Sequence, residues 1–242
     1  MKRVVGIVQA RMSSTRLPGK VMKPILGRPM LSRQLERILR CRKLDAVIVA
    51  TSTESSDDSV VAAAESLGVQ CVRGSLDDVL GRYRIAATAS NADVIVRLTA
   101  DCPLAEAEVI DRVVQLHLDG GYDYTSNVLD RRFPHGLDAE AFDRSLLEAA
   151  DEEVWDPSQR EHVTPWMYGN PSLRLGSLRC AEDLSGMRWT VDELKDFEFV
   201  SAVYAWLYPD SPSFGMDDII ALLARKPELA QINAPSATVD GE

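Results

Sequence analysis

The 242-residue chain lacks most features of membrane, secreted and zinc-binding proteins. No apolar run approaches the ~20 residues that a membrane-spanning helix needs. Only five apolar or glycine residues separate the first three residues from Gln9, too few for the core of a signal peptide. The four cysteines lie far apart without a Cys-x-x-Cys pair, and histidines number only three. We therefore expect no disulfide framework, no zinc site and no membrane contact, and a cytoplasmic location.

Positive charge is also scarce overall, with 27 Lys and Arg against 37 Asp and Glu and a net charge of −10. Because an acidic surface repels a phosphate backbone, we expect no nucleic-acid partner. Residues 1–43 are the exception, since they hold twelve basic side chains and a single acid, Glu36. A positive segment in an acidic protein favours a small anionic ligand. A solvated helix face is the better interpretation for positions 33–43, whereas Arg11, Arg16 and Lys20 precede the predicted helix.

Hydrophobic periodicity predicts an α/β fold. Short β-branched runs predict buried strands at 4–8, 46–50, 69–72 and 93–98, and helical patterns occupy 30–39, 55–67, 77–89 and 105–118. Strand–helix alternation with short links is typical of parallel strands in an α/β sandwich.

The pattern changes after Gly121. Short strands are predicted at 122–126, 137–141, 172–178 and 188–192, with helices near 144–151, 158–168 and 193–207. No Pro/Gly/Ser linker interrupts the chain. We therefore predict a single domain over residues 1–232 and a flexible tail over 233–242.

The most informative segment is residues 9–20, which read QARMSSTRLPGK. It follows the first strand, at the edge where open α/β sheets bind ligands. Three cations, three hydroxyl groups and the loop N–H groups suit a triphosphate. The segment is not a Walker loop, because Ser14 replaces the first glycine and Val21 replaces the Ser or Thr after Lys20, nor is it a Gly-x-Gly-x-x-Gly turn. These differences exclude P-loop NTPases and nicotinamide-dependent enzymes.

This segment resembles the fingerprint of the cytidylyltransferases that activate sugar acids, such as CMP-KDO synthetase and acylneuraminate cytidylyltransferase. It is more similar still to that of the SpsF-like proteins of spore coat polysaccharide biosynthesis. The resemblance continues to about residue 207, through ATS (50–52), RGS (73–75), RLTADCP (97–103), GLDAE (136–140), REHVTP (160–165) and WTVD (189–192).

The resemblance implies a Rossmann-like nucleotide-diphospho-sugar transferase sandwich with a mixed, mainly parallel central sheet, which makes residues 1–232 one nucleotidyltransferase domain. It implies transfer of CMP from CTP to a sugar acid or related acceptor, with release of pyrophosphate, in surface polysaccharide biosynthesis. The partners it implies are CTP, a small anionic acceptor and a second copy in a homodimer.

Individual positions take their expected roles from the same resemblance. Asp101 and Asp192 match carboxylates that hold Mg²⁺, the expected cofactor, which keeps several waters and so needs few protein ligands. Arg11 and Lys20 match phosphate-binding cations and form the expected catalytic set with Asp101. The expected nucleotide-binding residues are Ala10, Arg11, Ser13, Arg16, Lys20, Thr51, Ser52, Arg73, Arg97 and Thr99. The expected acceptor-binding residues are Glu140, Arg160 and His162.

Other interpretations stay open from the residues alone. Asp101 is also placed to cap a helix, and Thr190-x-x-Glu193 is a capping-box pattern that would put Asp192 in a first helical turn. Asp196 is expected at the surface. The rival functions are a glycosyltransferase of related fold, although the chain has no Asp-x-Asp metal motif, and a non-catalytic nucleotide-binding subunit.

Overall fold

The computed structural model describes residues 2–234, and its strands form one large sheet and one small hairpin. The strands are β1 (Val4–Gln9), β2 (Pro24–Ile25), β3 (Arg28–Pro29), β4 (Ala46–Ser52), β5 (Gln70–Gly74), β6 (Val94–Thr99), β7 (Tyr124–Ser126), β8 (Glu140–Asp143) and β9 (Leu175–Ser177). Within the described residues, seven of them form a sheet in the order β5-β4-β1-β6-β8-β7-β9. Strand β8 is antiparallel to both neighbours, and every other pair in this sheet is parallel.

The helices connect and flank these strands. They are α1 (Met30–Ile38), α2 (Asp58–Glu65), α3 (Val79–Ala89), α4 (Ala107–Gly120), α5 (Arg144–Glu153), α6 (Pro157–His162), α7 (Pro165–Gly169), α8 (Leu194–Leu207), α9 (Met216–Arg225) and α10 (Pro227–Ala230). Short 3₁₀ turns lie at Lys20–Met22 and Ser55–Asp57.

The sheet separates two apolar layers, because strand side chains point alternately to opposite faces. Val4 and Val8 of β1 pack in one cluster with α1, α2 and α4, whereas Val5 and Ile7 pack with α3 and α5. Trp189 joins α8 and α9 in a third cluster. The result is the predicted α/β sandwich with a mixed, mainly parallel central sheet.

The structure differs from the prediction in several places, most of them in the second half. The predicted helix 158–168 is broken into α6 and α7 at Val163, whose φ of 70° a β-branched residue rarely adopts. The predicted strand 188–192 is wrong, since only one isolated bridge joins Arg188 to His135. There the apolar residues fill the core from a loop. The pattern also did not reveal the β2–β3 hairpin, α9 or α10.

The chain is packed beyond α10. Asn233, within the predicted tail, is buried, and its Nδ2 donates to the Arg188 carbonyl oxygen at 2.8 Å. The rest of the predicted tail, from residue 235, lies outside the described residues.

Candidate active site

The loop after β1 is folded back on itself by backbone hydrogen bonds. The amides of Ser14 and Gly19 both donate to the Met12 carbonyl oxygen at 2.9 Å. Gly19 adopts a φ of 70°, the left-handed conformation that glycine takes without strain. The Met12 amide donates to Oδ1 of buried Asp57 at 2.8 Å. These contacts hold the loop over the carboxyl end of the parallel sheet and lead it into the 3₁₀ turn at Lys20.

A cavity of about 350 Å³ lies between this loop, the end of β6, the end of α6 and the segment before α8. Nine of the fifteen predicted site residues line it, namely Ala10, Arg11, Arg16, Lys20, Arg97, Thr99, Asp101, His162 and Asp192. The fold therefore brings side chains from distant parts of the chain to one place. The other six are Ser13, Thr51, Ser52, Arg73, Glu140 and Arg160, and they do not line this cavity.

Lys20 is the centre of the charge arrangement. The residue is only 8% exposed, and Nζ donates to the Val191 carbonyl oxygen at 2.6 Å. Nζ also lies 3.1 Å from Asp192 Oδ1 and 3.5 Å from Asp101 Oδ2. Because both carboxylate oxygens lie within 3.5 Å of the same nitrogen, they are less than about 8 Å apart. Two carboxylates farther apart than about 8 Å cannot ligate one octahedral ion. The two aspartates thus converge, as the resemblance implied.

Each aspartate has one oxygen held by the protein and one directed at Lys20. Asp101 Oδ1 accepts a hydrogen bond from Thr99 Oγ1 at 2.6 Å, and Asp192 Oδ2 accepts one from Arg188 Nη2 at 2.8 Å. Burial raises the pKa of Asp192, but Lys20, Arg188 and Arg16 outweigh it, so the pKa is lower than usual. This carboxylate is ionised at neutral pH.

The two loop arginines also pair with carboxylates at the rim. Arg11 Nη2 lies 2.8 Å from Glu161 Oε1, and Arg16 Nη2 lies 2.9 Å from Asp192 Oδ1. Each of the three loop cations therefore has a carboxylate partner. An anionic ligand must replace these partners or share the cations with them.

Thr51 and Ser52 are fully buried at the end of β4, and their hydroxyls donate to Asp57 Oδ2 at 3.0 and 2.6 Å. They act on the loop through Asp57, which holds the Met12 amide. Arg73 donates from Nε to the Ser52 carbonyl oxygen at 2.9 Å and pairs with Asp58. Ser13, in contrast, is exposed on the loop.

Arg97 and Glu140 form a buried ion pair across β6 and β8, which pair in antiparallel register. Tyr124 Oη donates to Glu140 Oε2 at 2.7 Å. Burial lowers the pKa of Arg97, but Glu140 outweighs it and raises the pKa above its usual value. Arg97 lines the cavity and Glu140 does not, so the guanidinium is the member of the pair that a ligand in the cavity can contact.

The two predicted residues of α6 have different surroundings. Arg160 donates from Nε and Nη2 to both oxygens of Asp78 at 2.9 Å and from Nη2 to Asp151 at 2.6 Å. These contacts join α6 to the start of α3 and to α5. His162, at the last position of α6, lines the cavity.

Sequence reasoning missed Glu161, Arg188 and Asp57 as parts of the site, and it placed Asp196 wrongly. Asp196 is fully buried rather than at the surface, and it forms the capping box of α8 with Glu193 instead of the predicted Thr190 pair. Glu161 lies within the segment REHVTP and Arg188 directly precedes WTVD, so these two segments could have indicated both residues. No motif pointed to Asp57, because its contact with the loop at Met12 joins residues 45 positions apart in the chain.

No helix in the described part of the chain is both long and apolar enough to cross a membrane.

Comparison with known proteins places the chain in a family. A family model described as cytidylyltransferase matches residues 5–230. An uncharacterised protein of Methanocaldococcus jannaschii is 38% identical over 237 residues, which are 96% of this chain and 95% of that protein. The spore coat polysaccharide biosynthesis protein SpsF of Bacillus subtilis is 32% identical over 238 residues, 95% of this chain and 98% of SpsF.

A solved structure of a cytidylyltransferase from Leptospira borgpetersenii superimposes with a TM-score of 0.91 at 35% identity, covering 96% of this chain and 98% of that one. The family model and these relatives span nearly all of the chain. The chain therefore belongs to the cytidylyltransferase family and is a CTP-dependent nucleotidyltransferase.

Proposed function

We propose that the protein transfers CMP from CTP to a sugar acid or related small anionic acceptor, for surface polysaccharide biosynthesis. The observation that carries the proposal is the cavity in which Lys20 joins Asp101 and Asp192 beside Arg11 and Arg16. The similarity to SpsF supports a role in polysaccharide biosynthesis. The resemblance to sugar-acid-activating enzymes supports the acceptor class.

In this proposal, Arg11, Arg16 and Lys20 bind the phosphate oxygens of CTP, and Asp101 and Asp192 hold Mg²⁺. The residues fit that ion, because each aspartate directs one carboxylate oxygen to the cavity while the other is held by Thr99 or Arg188. Mg²⁺ takes octahedral oxygen ligands and accepts one or two carboxylates when phosphates and water complete the set. When bound, it would neutralise phosphate charge and stabilise the departing pyrophosphate.

The reaction is an in-line displacement at the α-phosphorus. An acceptor oxygen forms a bond to that phosphorus as the bond to the pyrophosphate oxygen breaks, and the acceptor hydroxyl loses its proton. Lys20 and Arg11 stabilise the negative charge that grows on the phosphoryl and pyrophosphate oxygens. His162 lies on the same cavity and accepts the hydroxyl proton. Arg160 is held by Asp78 and Asp151 away from the cavity. We therefore assign the acid group of the acceptor to Arg97, although the resemblance had implied a nucleotide-binding role for Arg97.

The remaining predicted residues support this site. Ala10 and Thr99 line the nucleotide side, Thr51, Ser52 and Arg73 order the segments behind it, and the exposed Ser13 hydroxyl is available to CTP. Glu140 and Arg160 complete the acceptor side by orienting Arg97 and α6.

We also propose that the enzyme works as a cytoplasmic homodimer. Trp155 is 85% exposed and Tyr168 is 45% exposed, at either end of the α6–α7 region beside the cavity. Aromatic side chains of this kind are enriched in interfaces. Light scattering of the purified protein measures the mass directly, and a monomer would refute this part.

The activity is tested with purified protein, Mg²⁺, each of the four nucleoside triphosphates and a panel of sugar acids. We expect pyrophosphate release with CTP and one acceptor, and almost none from an Asp101→Asn control. Pyrophosphate release equal to that of the control refutes the proposal. UDP release from a UDP-sugar would instead indicate glycosyl transfer, and CTP binding without turnover a non-catalytic subunit.

A further inference from the structure

Asp192 is held from behind by an arginine that also grips a fully buried carboxylate. Arg188 Nη2 donates to Asp192 Oδ2 at 2.8 Å. Nε and Nη2 of the same guanidinium donate to the two oxygens of Asp196, each at 3.0 Å. Such two-point pairs are stronger and more directional than single hydrogen bonds. Arg188 therefore fixes the orientation of Asp192 relative to the start of α8.

Asp196 ties the loop around Asp192 to the same guanidinium. It is 0% exposed, and its Oδ2 accepts the backbone amides of Asp192 and Glu193 at 2.9 Å. A buried carboxylate is costly unless it is paired, and here Arg188 supplies the charge. The backbone and the side chain of Asp192 are thus held by one carboxylate–arginine pair.

The third member comes from the C-terminal segment. Asn233 lies 45 residues after Arg188, is 7% exposed, and donates from Nδ2 to the Arg188 carbonyl oxygen at 2.8 Å. The same nitrogen lies 3.4 Å from Asp196 Oδ1. Asn233 itself touches none of the cavity-lining residues through these bonds. It acts on the site only through Arg188 and Asp196.

We propose that Arg188, Asp196 and Asn233 are positioning residues that orient Asp192 so that Oδ1 alone faces the cavity. The inference rests on the proposed function, in which Asp192 holds the metal of the nucleotide complex. Asp101 achieves the same orientation with its near neighbour Thr99. Asp192 lies in a loop outside the sheet, so its orientation depends on contacts from α8 and the C-terminal segment.

The test measures metal affinity directly and needs no turnover. Mn²⁺ binding to the full-length protein with CTP and without acceptor is titrated by electron paramagnetic resonance. Arg188→Lys keeps the positive charge but loses the guanidinium group, the fork that reaches both aspartates at once. We expect an Mn²⁺ affinity lower by about 10-fold, the low end of the loss seen when partners of metal ligands are replaced.

Arg33→Lys is the matched control. Arg33 is equally an arginine with several partners, donating to the Ile25 and Leu26 carbonyl oxygens and pairing with Glu36, and none of them is an aspartate of the cavity. We expect wild-type Mn²⁺ affinity for this variant. A similar loss in both would show a general effect of replacing a multiply bonded arginine and overturn the proposal.

Asn233→Ala removes no charge and keeps the fork, which makes it the milder variant. We expect a loss in Mn²⁺ affinity of roughly 3-fold, smaller than for Arg188→Lys because only a supporting contact is removed. This variant decides the question if Arg188→Lys fails to fold. Wild-type Mn²⁺ affinity in both single variants overturns the inference. If Arg188→Lys does not fold, wild-type Mn²⁺ affinity in Asn233→Ala alone overturns it.

Asp192→Asn separates this inference from the proposed function. If it lowers Mn²⁺ affinity while the positioning variants do not, the proposed function stands and the inference is wrong. If Asp192→Asn binds Mn²⁺ as well as the wild type does, the metal assignment is wrong, and the inference is overturned with it.

Discussion

Replacement of Lys20 by methionine tests the central charge arrangement. The change removes the ammonium shared by Asp101 and Asp192 and keeps most of the side-chain length. Removing one member of a buried ion pair costs ~3–5 kcal/mol, whereas an exposed pair contributes ~0–1 kcal/mol. The Asp192 side chain is 13% exposed and that of Asp101 is 29% exposed, so the site lies between these limits.

We expect the free energy of unfolding to fall by about 2 kcal/mol, because Asp192 keeps Arg16 and Arg188 as partners. For a chain of this length that corresponds to a melting temperature lower by about 4–8 °C. Pyrophosphate release should fall by about 10²–10³-fold, as for loss of one donor to a developing oxyanion.

A double-mutant cycle with Asp192→Asn isolates the interaction. Urea unfolding at pH 7 is measured for the wild type, the two single variants and the double variant. Lys20→Met should cost at least about 1 kcal/mol less when Asp192 is already an amide, because the unpaired charge is then absent. Equal costs in both backgrounds would refute the reasoning.

The pH dependence of the stability tests the interaction between Lys20 and Asp192 independently. A carboxyl with a lowered pKa in the folded state adds stability above its unfolded pKa of about 3.9, and this stability is lost as the pH falls through the folded pKa. In Lys20→Met the pKa of Asp192 is lowered less than in the wild type, because one of the cations that lower it is gone. The difference in urea midpoint between variant and wild type should therefore be largest near pH 7 and shrink below about pH 4.

Three further predictions concern other parts of the chain. Glu161→Gln frees Arg11 for phosphate, so calorimetry should show CTP binding tighter by about 2–5-fold, the equivalent of an exposed ion pair; unchanged or weaker binding contradicts this. Gly136→Ala should lower the free energy of unfolding by about 2 kcal/mol or more, since φ is 114° and the added carbon would lie 2.6 Å from neighbouring backbone atoms. Gly186→Ala, with no atom within 4 Å of the added carbon, is the control, and equal urea midpoints would contradict the strain. Burial lowers the pKa of His117, so wild-type stability should fall as the pH drops below about 6.5, and His117→Gln should flatten that slope; parallel slopes would contradict it.

Periodicity predicted the parallel half of the fold correctly and the other half poorly. Strands β1, β4 and β6 are largely apolar runs because both of their faces are buried, and that signal is local. Strand β5 lies at the edge of the sheet and is only partly buried. Strands β7, β8 and β9 have only three or four residues each, too short for a clear period. Val163 and the loop at Trp189 carry apolar side chains that pack in the core without regular structure.

The candidate site shows the same division. The loop sequence alone was enough to predict Arg11, Arg16 and Lys20 as site residues, because these cations lie close together in the chain. Glu161, however, meets Arg11 across 150 residues, and no local pattern announces that contact.

The sequence by itself determined the element types of the parallel half, the cationic loop and, through its motifs, the family, and it pointed to the two aspartates. Tertiary structure alone decided that Lys20 lies between those aspartates, that Asp57 holds the loop, and that Arg188 joins Asp192 to Asp196 and Asn233. The physical reason is the distance along the chain over which each effect acts. Propensity and periodicity act over a few residues, whereas the direction of a carboxylate depends on charged partners that the chain brings together only when its layers pack.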